Sequence, residues 1–328
     1  MQNTPSAHRA EDAAVPLRYQ TGFGNEHESE ALPGALPLGR RSPQRVPYDL
    51  YAEQFSGTAF TAPRASNLHS WLYRIRPSVK RGRFKAVSHD TWQTAPLEGF
   101  TPAAQLRWNP LTIPDGNANF VTGMHTMAAS GTAALHSGIG AHVYHARESM
   151  TASFFYDADA ELLVVPQQGR LRAHTEFGVL DVAPGEVLLL PRGMVFRIVL
   201  PDGPSRGYVC ENYGQAFRLP ERGPAGSEGF ANQRDFFAPV AAFEDRTGDF
   251  TLTVKLGGRL HTCSIGHSPL DVVAWSGNYT PYKYELTRFN VIGTISYDQP
   301  DPSIYTVLTS PSDTPGTANA DFVVFPPR

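Results

Sequence analysis

The run GEVLLLPRGMVF, residues 185 to 196, decides the fold. Val187 to Leu190 form an apolar stretch of strand length, and Gly185 before it and Pro191 and Gly193 after it are turn signals. The same punctuation recurs along the chain. WLYRIR (71–76), ELLVVP (161–166), RLRAHT (170–175) and VFRIVL (195–200) are short, often alternating apolar segments between breakers. With 29 glycines and 28 prolines dispersed through 328 residues, long helices would be interrupted constantly. The spacing predicts an all-β sandwich or barrel.

Length and charge bound the function. A chain of 328 residues exceeds the usual single-domain size, so two cores or one large β architecture are expected. The formal net charge of -3, without any run of lysines or arginines, argues against a nucleic-acid or anionic-membrane surface and makes small molecules the expected partners. Cys210 and Cys263 cannot build the disulfide framework of a secreted domain. The first twenty residues hold no apolar core of signal-peptide length, and no later run is long enough to span a bilayer. A cytoplasmic protein is expected, with residues 1–16 a flexible tail.

Residues 157–212 are similar to a cupin barrel. Gly185, Pro191 and Gly193 match the spacing of the second cupin motif, but Phe196 stands where that motif has its histidine. Upstream, Phe154, Phe155, Asp157 and Asp159 occupy the region of the paired histidines of the first motif, so that only Glu161 resembles a ligand. Phenylalanine cannot coordinate a metal, and this barrel is expected to keep the scaffold without one.

Other histidines are candidate ligands. His142, His145 and Glu148, with His125 or His136 nearby in sequence, would share a face only on a helix, whereas the β-branched and aromatic content of AHVYHARESM favours a strand. On a strand His142 and His145 diverge, which makes them structural or interface histidines. Glu26, His27 and Glu28 likewise point to different faces of extended backbone and read as a solvated turn. His261 and His267 flank Cys263 at a spacing that matches no metal geometry. Within the irregular segment 21–64, only Asp49 to Gln54 could hold a helical turn, and the segment is expected to wrap a surface or serve an oligomer contact.

The most function-like stretch is DVVAWSGNYTPYKY, Asp271 to Tyr284, a short apolar strand running into an aromatic, glycine-containing turn. By spacing alone, Tyr279, Tyr282 and Tyr284 read as half-buried packing residues whose hydroxyls find partners. Together with FNVIGTISYDQPDPSIYTVL (289–308), the stretch resembles the homogentisate 1,2-dioxygenase family, and the resemblance runs from Tyr19 to Arg328. It implies extradiol cleavage of homogentisate by dioxygen to maleylacetoacetate at a facial-triad Fe(II), in a homohexamer. The family has a histidine, taken as acid/base, where this chain has Ser276. Its iron ligands, two histidines and a glutamate, follow a run like DFVVFPPR and so would lie beyond Arg328.

The expected architecture is therefore all-β: a cupin-like jelly-roll or β-sandwich amino-terminal domain (17–265) with long irregular segments, then the first strands of a second, incomplete cupin barrel, the start of the catalytic domain (266–328). Segment 212–248 is read as a crossing between the two cores. Two functions remain open at this point: an iron-dependent ring-cleaving dioxygenase, and a non-catalytic cupin-like binding or assembly protein.

Overall fold

Short apolar segments between breakers satisfy their backbone groups by pairing, and the computed structural model, which describes residues 16–97, 103–111, 116–221, 231–290 and 304–325, is built almost wholly of strands. In chain order they are β1 (Tyr19–Thr21), β2 (His27–Glu30), β3 (Tyr51–Ser56), β4 (His69–Arg74), β5 (Lys85–Val87), β6 (Met124–Thr132) and β7 (Ser137–Ala146). There follow β8 (Ser153–Asp157), β9 (Glu161–Gln168), β10 (Leu171–Thr175), β11 (Gly178–Val182), β12 (Glu186–Leu190), β13 (Phe196–Val199) and β14 (Ser205–Asn212). The last are β15 (Phe236–Pro239), β16 (Thr247–Leu256), β17 (Arg259–His267), β18 (Val272–Gly277), β19 (Tyr282–Glu285), β20 (Tyr305–Pro311) and β21 (Ala318–Val324).

Eight consecutive strands make the central unit. One sheet contains the order β12-β9-β14-β7 and the other β11-β10-β13-β8, so the chain alternates between two antiparallel sheets in the order of a jelly roll. The opening run behaves as its residues require: Val187 to Leu190 are buried within β12, Gly193 turns the chain at φ 84°, and Phe196 starts β13. Where the cupin motifs would place ligands, the interior is aromatic. Phe155 and Phe196 meet edge-on at 5.6 Å, and Trp92 lies 5.4 Å from Phe155. Fully burying rings of this size is a principal source of core stability.

Both sheets are extended by strands distant in sequence. β19 pairs with β12 and β15, and β15 pairs with β1; on the other sheet β16 runs parallel to β8 and carries β17 and β5. A third sheet, ordered β2-β18-β4-β3, packs against the jelly roll through Trp275 and Leu72.

Several local expectations are corrected. Asp49–Gln54 is not a helical turn: a 3-10 turn covers Pro47–Asp49 and residues 51–56 form β3, because Tyr51 to Ser56 find a full antiparallel partner in β4. Segment 21–64 supplies β2 and β3 to the third sheet, and the presumed crossing contains β15. His27 is no solvated turn residue, since β2 alternates with His27 and Ser29 inward and Glu28 and Glu30 outward. β18 and β19 pair with strands of the earlier sheets, and the β20–β21 hairpin docks Val307 and Leu308 into the same core. Most of RFNVIGTISYDQ lies outside the described residues.

Candidate functional site

β18 is the central strand of the third sheet, with β2 on one side and β4 on the other. Its two faces have opposite tasks. Trp275 is fully buried and donates its indole N–H to the Phe177 carbonyl at 2.7 Å, fastening the sheet to the jelly roll. Ser276 points the other way, flanked across the ladder by Glu28 and Trp71, and its hydroxyl interacts with that of Tyr73. Tyr73 in turn donates to the Arg41 carbonyl at 2.8 Å.

The turn after Ser276 is held from both directions. Asn278 accepts from the His69 backbone N–H at 3.0 Å, donates its side-chain amide to the Asn67 carbonyl at 2.9 Å, and donates its backbone N–H to the His69 carbonyl at 3.0 Å. The three tyrosines are packing residues, but buried rather than half-buried; the Tyr279 and Tyr282 hydroxyls find partners and the buried Tyr284 hydroxyl does not. Tyr279 stacks on Phe55 at 5.2 Å and accepts from the Arg192 N–H, Tyr282 accepts from the Gly24 N–H at 3.0 Å, and Tyr284 stacks on Phe236 at 4.4 Å.

Ser276 is buried, but its neighbours Trp71 and Asn278, with Gln54, His69, Arg41 and Arg64, wall a cleft of about 640 Å³ that Ser276 itself does not line. The indole wall suits an aromatic ring, and the two guanidinium groups suit a carboxylate. Glu26, the acidic residue in the wall, is taken up by Arg41 at 2.9 Å. None of these cleft residues except Trp71 and Asn278 belongs to a stretch with a recognisable pattern; β2, β3, β4 and β18 bring them together from four separate places in the chain.

The other histidines and acids are dispersed. His142 and His145 lie on strand β7; His142 donates to Glu211 at 2.9 Å and pairs with the Thr126 hydroxyl at 2.9 Å, whereas His145 lies 5.7 Å from the His125 ring with Arg206 as its cross-strand partner. His136 sits beside the Arg192 guanidinium at 2.9 Å. Glu161 diverges from Asp157 and Asp159 and accepts the Phe217 N–H at 2.6 Å, at the edge of a second cavity of about 610 Å³. Burial pushes its carboxyl up to about 8, against that hydrogen bond and the Arg192 charge. Cys210 and Cys263 are free and buried. Among the described residues, no three His, Cys, Asp or Glu side chains are arranged to hold a metal ion. Also among them, no helix is long and apolar enough to cross a membrane.

The strand order defines an all-β protein of cupin-like architecture, with an open cleft on a sheet outside the jelly roll. Solved cupins show only remote likeness: a cupin-2 domain protein of Shewanella frigidimarina is 11% identical with a TM-score of 0.23, covering 27% of this chain and 78% of its own. Sequence comparison is far more specific. A family model described as homogentisate 1,2-dioxygenase N-terminal matches residues 18–286, and its C-terminal counterpart matches 287–328. The chain is 56% identical over 326 residues to the homogentisate 1,2-dioxygenase of Nitrobacter hamburgensis, covering 99% of this chain and 73% of that protein. It is 57% identical over 317 residues to that of Rhodopseudomonas palustris strain BisB18, covering 96% and 71%. The chain belongs to the homogentisate 1,2-dioxygenase family, whose members are ring-cleaving oxidoreductases.

Proposed function

We propose that Ser276 occupies the proton-transfer position of this family's ring-cleavage reaction and that the adjacent cleft receives the aromatic acid. The observation that carries this reading is that Ser276, itself buried, has as its cross-strand neighbour Trp71, which with Arg41, Arg64 and Asn278 walls the adjacent cleft. In this reading the guanidinium groups attract the carboxylate of homogentisate, Trp71 lies against its ring, and Ser276 and Asn278 orient its hydroxyls. Serine can donate and accept hydrogen bonds but, unlike imidazole, exchanges no proton near neutral pH. A missing general base typically costs ~10²- to 10⁴-fold in rate.

The family chemistry uses Fe(II) and dioxygen. The described residues do not fit the metal: His142 is committed to Glu211, and His145 has Arg206 across the ladder and the His125 ring beside it rather than a carboxylate. No step is therefore derived through it, and the ligand set is assigned to sequence beyond Arg328, in the part of the longer relatives that this chain does not cover. A homohexamer, a cytoplasmic location and a role in tyrosine and phenylalanine catabolism belong to the same proposal. So does a division of the chain into residues 17–265 and 266–328, the latter serving the catalytic half.

Two experiments test it. This chain, extended by the carboxy-terminal portion of the Nitrobacter relative, is assayed for homogentisate-dependent oxygen uptake with Ser276 and with Ser276→His. The histidine version is expected to be ~10²- to 10⁴-fold faster; equal rates would reject the assigned role. Iron is also counted per chain after anaerobic Fe(II) loading of the 328-residue protein. Near-zero iron is expected, and about one per chain would return His142, His145 and Glu148 to candidacy.

Serine at this position also favours a second reading, a non-catalytic binding or assembly protein. It predicts homogentisate binding to the cleft, followed anaerobically by tryptophan fluorescence, with no turnover in the extended Ser276 or Ser276→His chains.

A further inference from the structure

The interior of the jelly roll holds a charge that neither the cleft nor the family reaction uses. Lys255, on β16, is 1% exposed, and its ammonium pairs directly with the Glu211 carboxylate and with Asp159 at 3.5 Å. Two aromatic faces complete its surroundings, Tyr213 at 5.5 Å and Trp92 at 5.8 Å from the ring centroids. An ammonium held by carboxylates and aromatic faces is the arrangement by which proteins recognise cationic ligands.

The surrounding groups are built for this cation. Glu211 is completely buried and accepts three further donors, from His142 at 2.9 Å, Tyr213 at 3.2 Å and Trp92 at 3.3 Å. Asp159 is fixed by the Gly257 and Gly258 N–H groups at 2.7 Å each. Asp157, 2% exposed, spends Oδ1 on the N–H groups of Asp159 and Ala160, while its buried Oδ2 has no hydrogen-bond partner. Three buried carboxyl groups thus face one ammonium, and the acids come from β8, the turn after it and β14. The cluster lies against the Trp92–Phe155–Phe196 aromatic group, beside the place where cupin motifs carry their metal ligands.

We propose that this barrel contains a cation-binding site for a primary ammonium, occupied by the chain's own Lys255. The lysine stem is a tether and the ammonium is the ligand. Removing the stem with Lys255→Ala leaves a channel-shaped void with the carboxylates and aromatic faces still in place, and a free alkylammonium of matching length fills it. Lys255→Met fills the void without restoring the charge.

Thermal unfolding of the 328-residue protein and both variants, with and without ethylammonium chloride, tests the proposal. Breaking a buried pair predicts a Tm lower by about 6–20 °C in Lys255→Ala. Ethylammonium is expected to raise the Tm of Lys255→Ala saturably by several degrees, and to leave the wild type and Lys255→Met unmoved; tetramethylammonium, bulkier and with no N–H to donate, is expected to do nothing. If Lys255→Ala is recovered only by refolding, its yield against ethylammonium concentration is read by the same criteria. The double variant Lys255→Met with Glu211→Gln is expected to be more stable than Lys255→Met alone, because it removes the uncompensated carboxylate. An unchanged Tm in Lys255→Ala, no ethylammonium response, an equal response in all three proteins, or a double variant no better than Lys255→Met would overturn the assignment.

Discussion

At Gly277 the backbone has φ 145°, and an added Cβ would stand 2.3 Å from the His69 carbonyl oxygen. Only glycine lets β18 turn there while Ser276 and Asn278 keep their positions. Gly277→Ala is expected to cost on the order of 1–3 kcal/mol or more in strain, read by urea unfolding, and to weaken aromatic-acid binding in the cleft; unchanged stability would show that the turn is not constrained. Glu161 makes a second prediction at this scale. Its folded-state pKa, raised by burial from 4.5 to about 8, means the native state holds its proton more tightly than the unfolded chain. The associated stability is fully present below about pH 4.5 and is lost as pH rises through about 8. Glu161→Gln, neutral throughout, is expected to flatten this decline in a Tm-versus-pH series, and parallel curves for the two proteins would contradict it.

At the scale of elements, Asn319 supplies hydrogen bonds that help dock the β20–β21 hairpin alongside the buried Val307 and Leu308. Asn319 accepts from the Gly138 N–H at 2.6 Å and donates to the Gly138 carbonyl at 3.1 Å and to Asn212 Oδ1 at 2.8 Å, linking β21 to β7 and β14. Asn319→Ala removes these bonds and strands their partners, a loss of about 1–3 kcal/mol. Amide exchange is expected to quicken in 305–324 and to stay unchanged in β9 to β13; uniform acceleration would mean that the hairpin opens only with the whole fold. Strand existence was legible in such elements because ELLVVP and VFRIVL carry their own apolar runs. β3 and β15 were not, since YAEQFS and FFAP become strands only when β4 and β19 offer their edges.

For the whole molecule, the buried network around Glu211 sets the acid limit. Burial alone would raise the Glu211 carboxyl, but the His142 hydrogen bond and the Lys255 charge hold it down at about 2. A depressed carboxyl stabilises the fold above its unfolded value of 4.5 and loses that contribution as pH falls toward about 2. Acid unfolding of the wild type is therefore expected to be steep in this window. Glu211→Gln should be less steep there and less stable at neutral pH by about 3–5 kcal/mol, because Lys255 is left buried without its main partner. Equal acid slopes would place the acid sensitivity elsewhere, with the Arg74, Asp271 and Glu176 network the next to test.

Local chemistry is what the amino-acid sequence determined by itself. Breaker spacing set the all-β class, Gly185, Pro191 and Gly193 set the jelly-roll turn, and the long match that includes DVVAWSGNYTPYKY identified the family and singled out Ser276. Tertiary structure alone decided which distant groups share a space. Trp71, Arg41, Arg64 and Asn278 line one cleft, and Lys255, Glu211, Asp157 and Trp92 meet in one interior, through pairings between strands 98 or more residues apart. Periodicity reports which face a residue occupies on its own strand, whereas a site depends on the register between strands, which packing of the finished core selects.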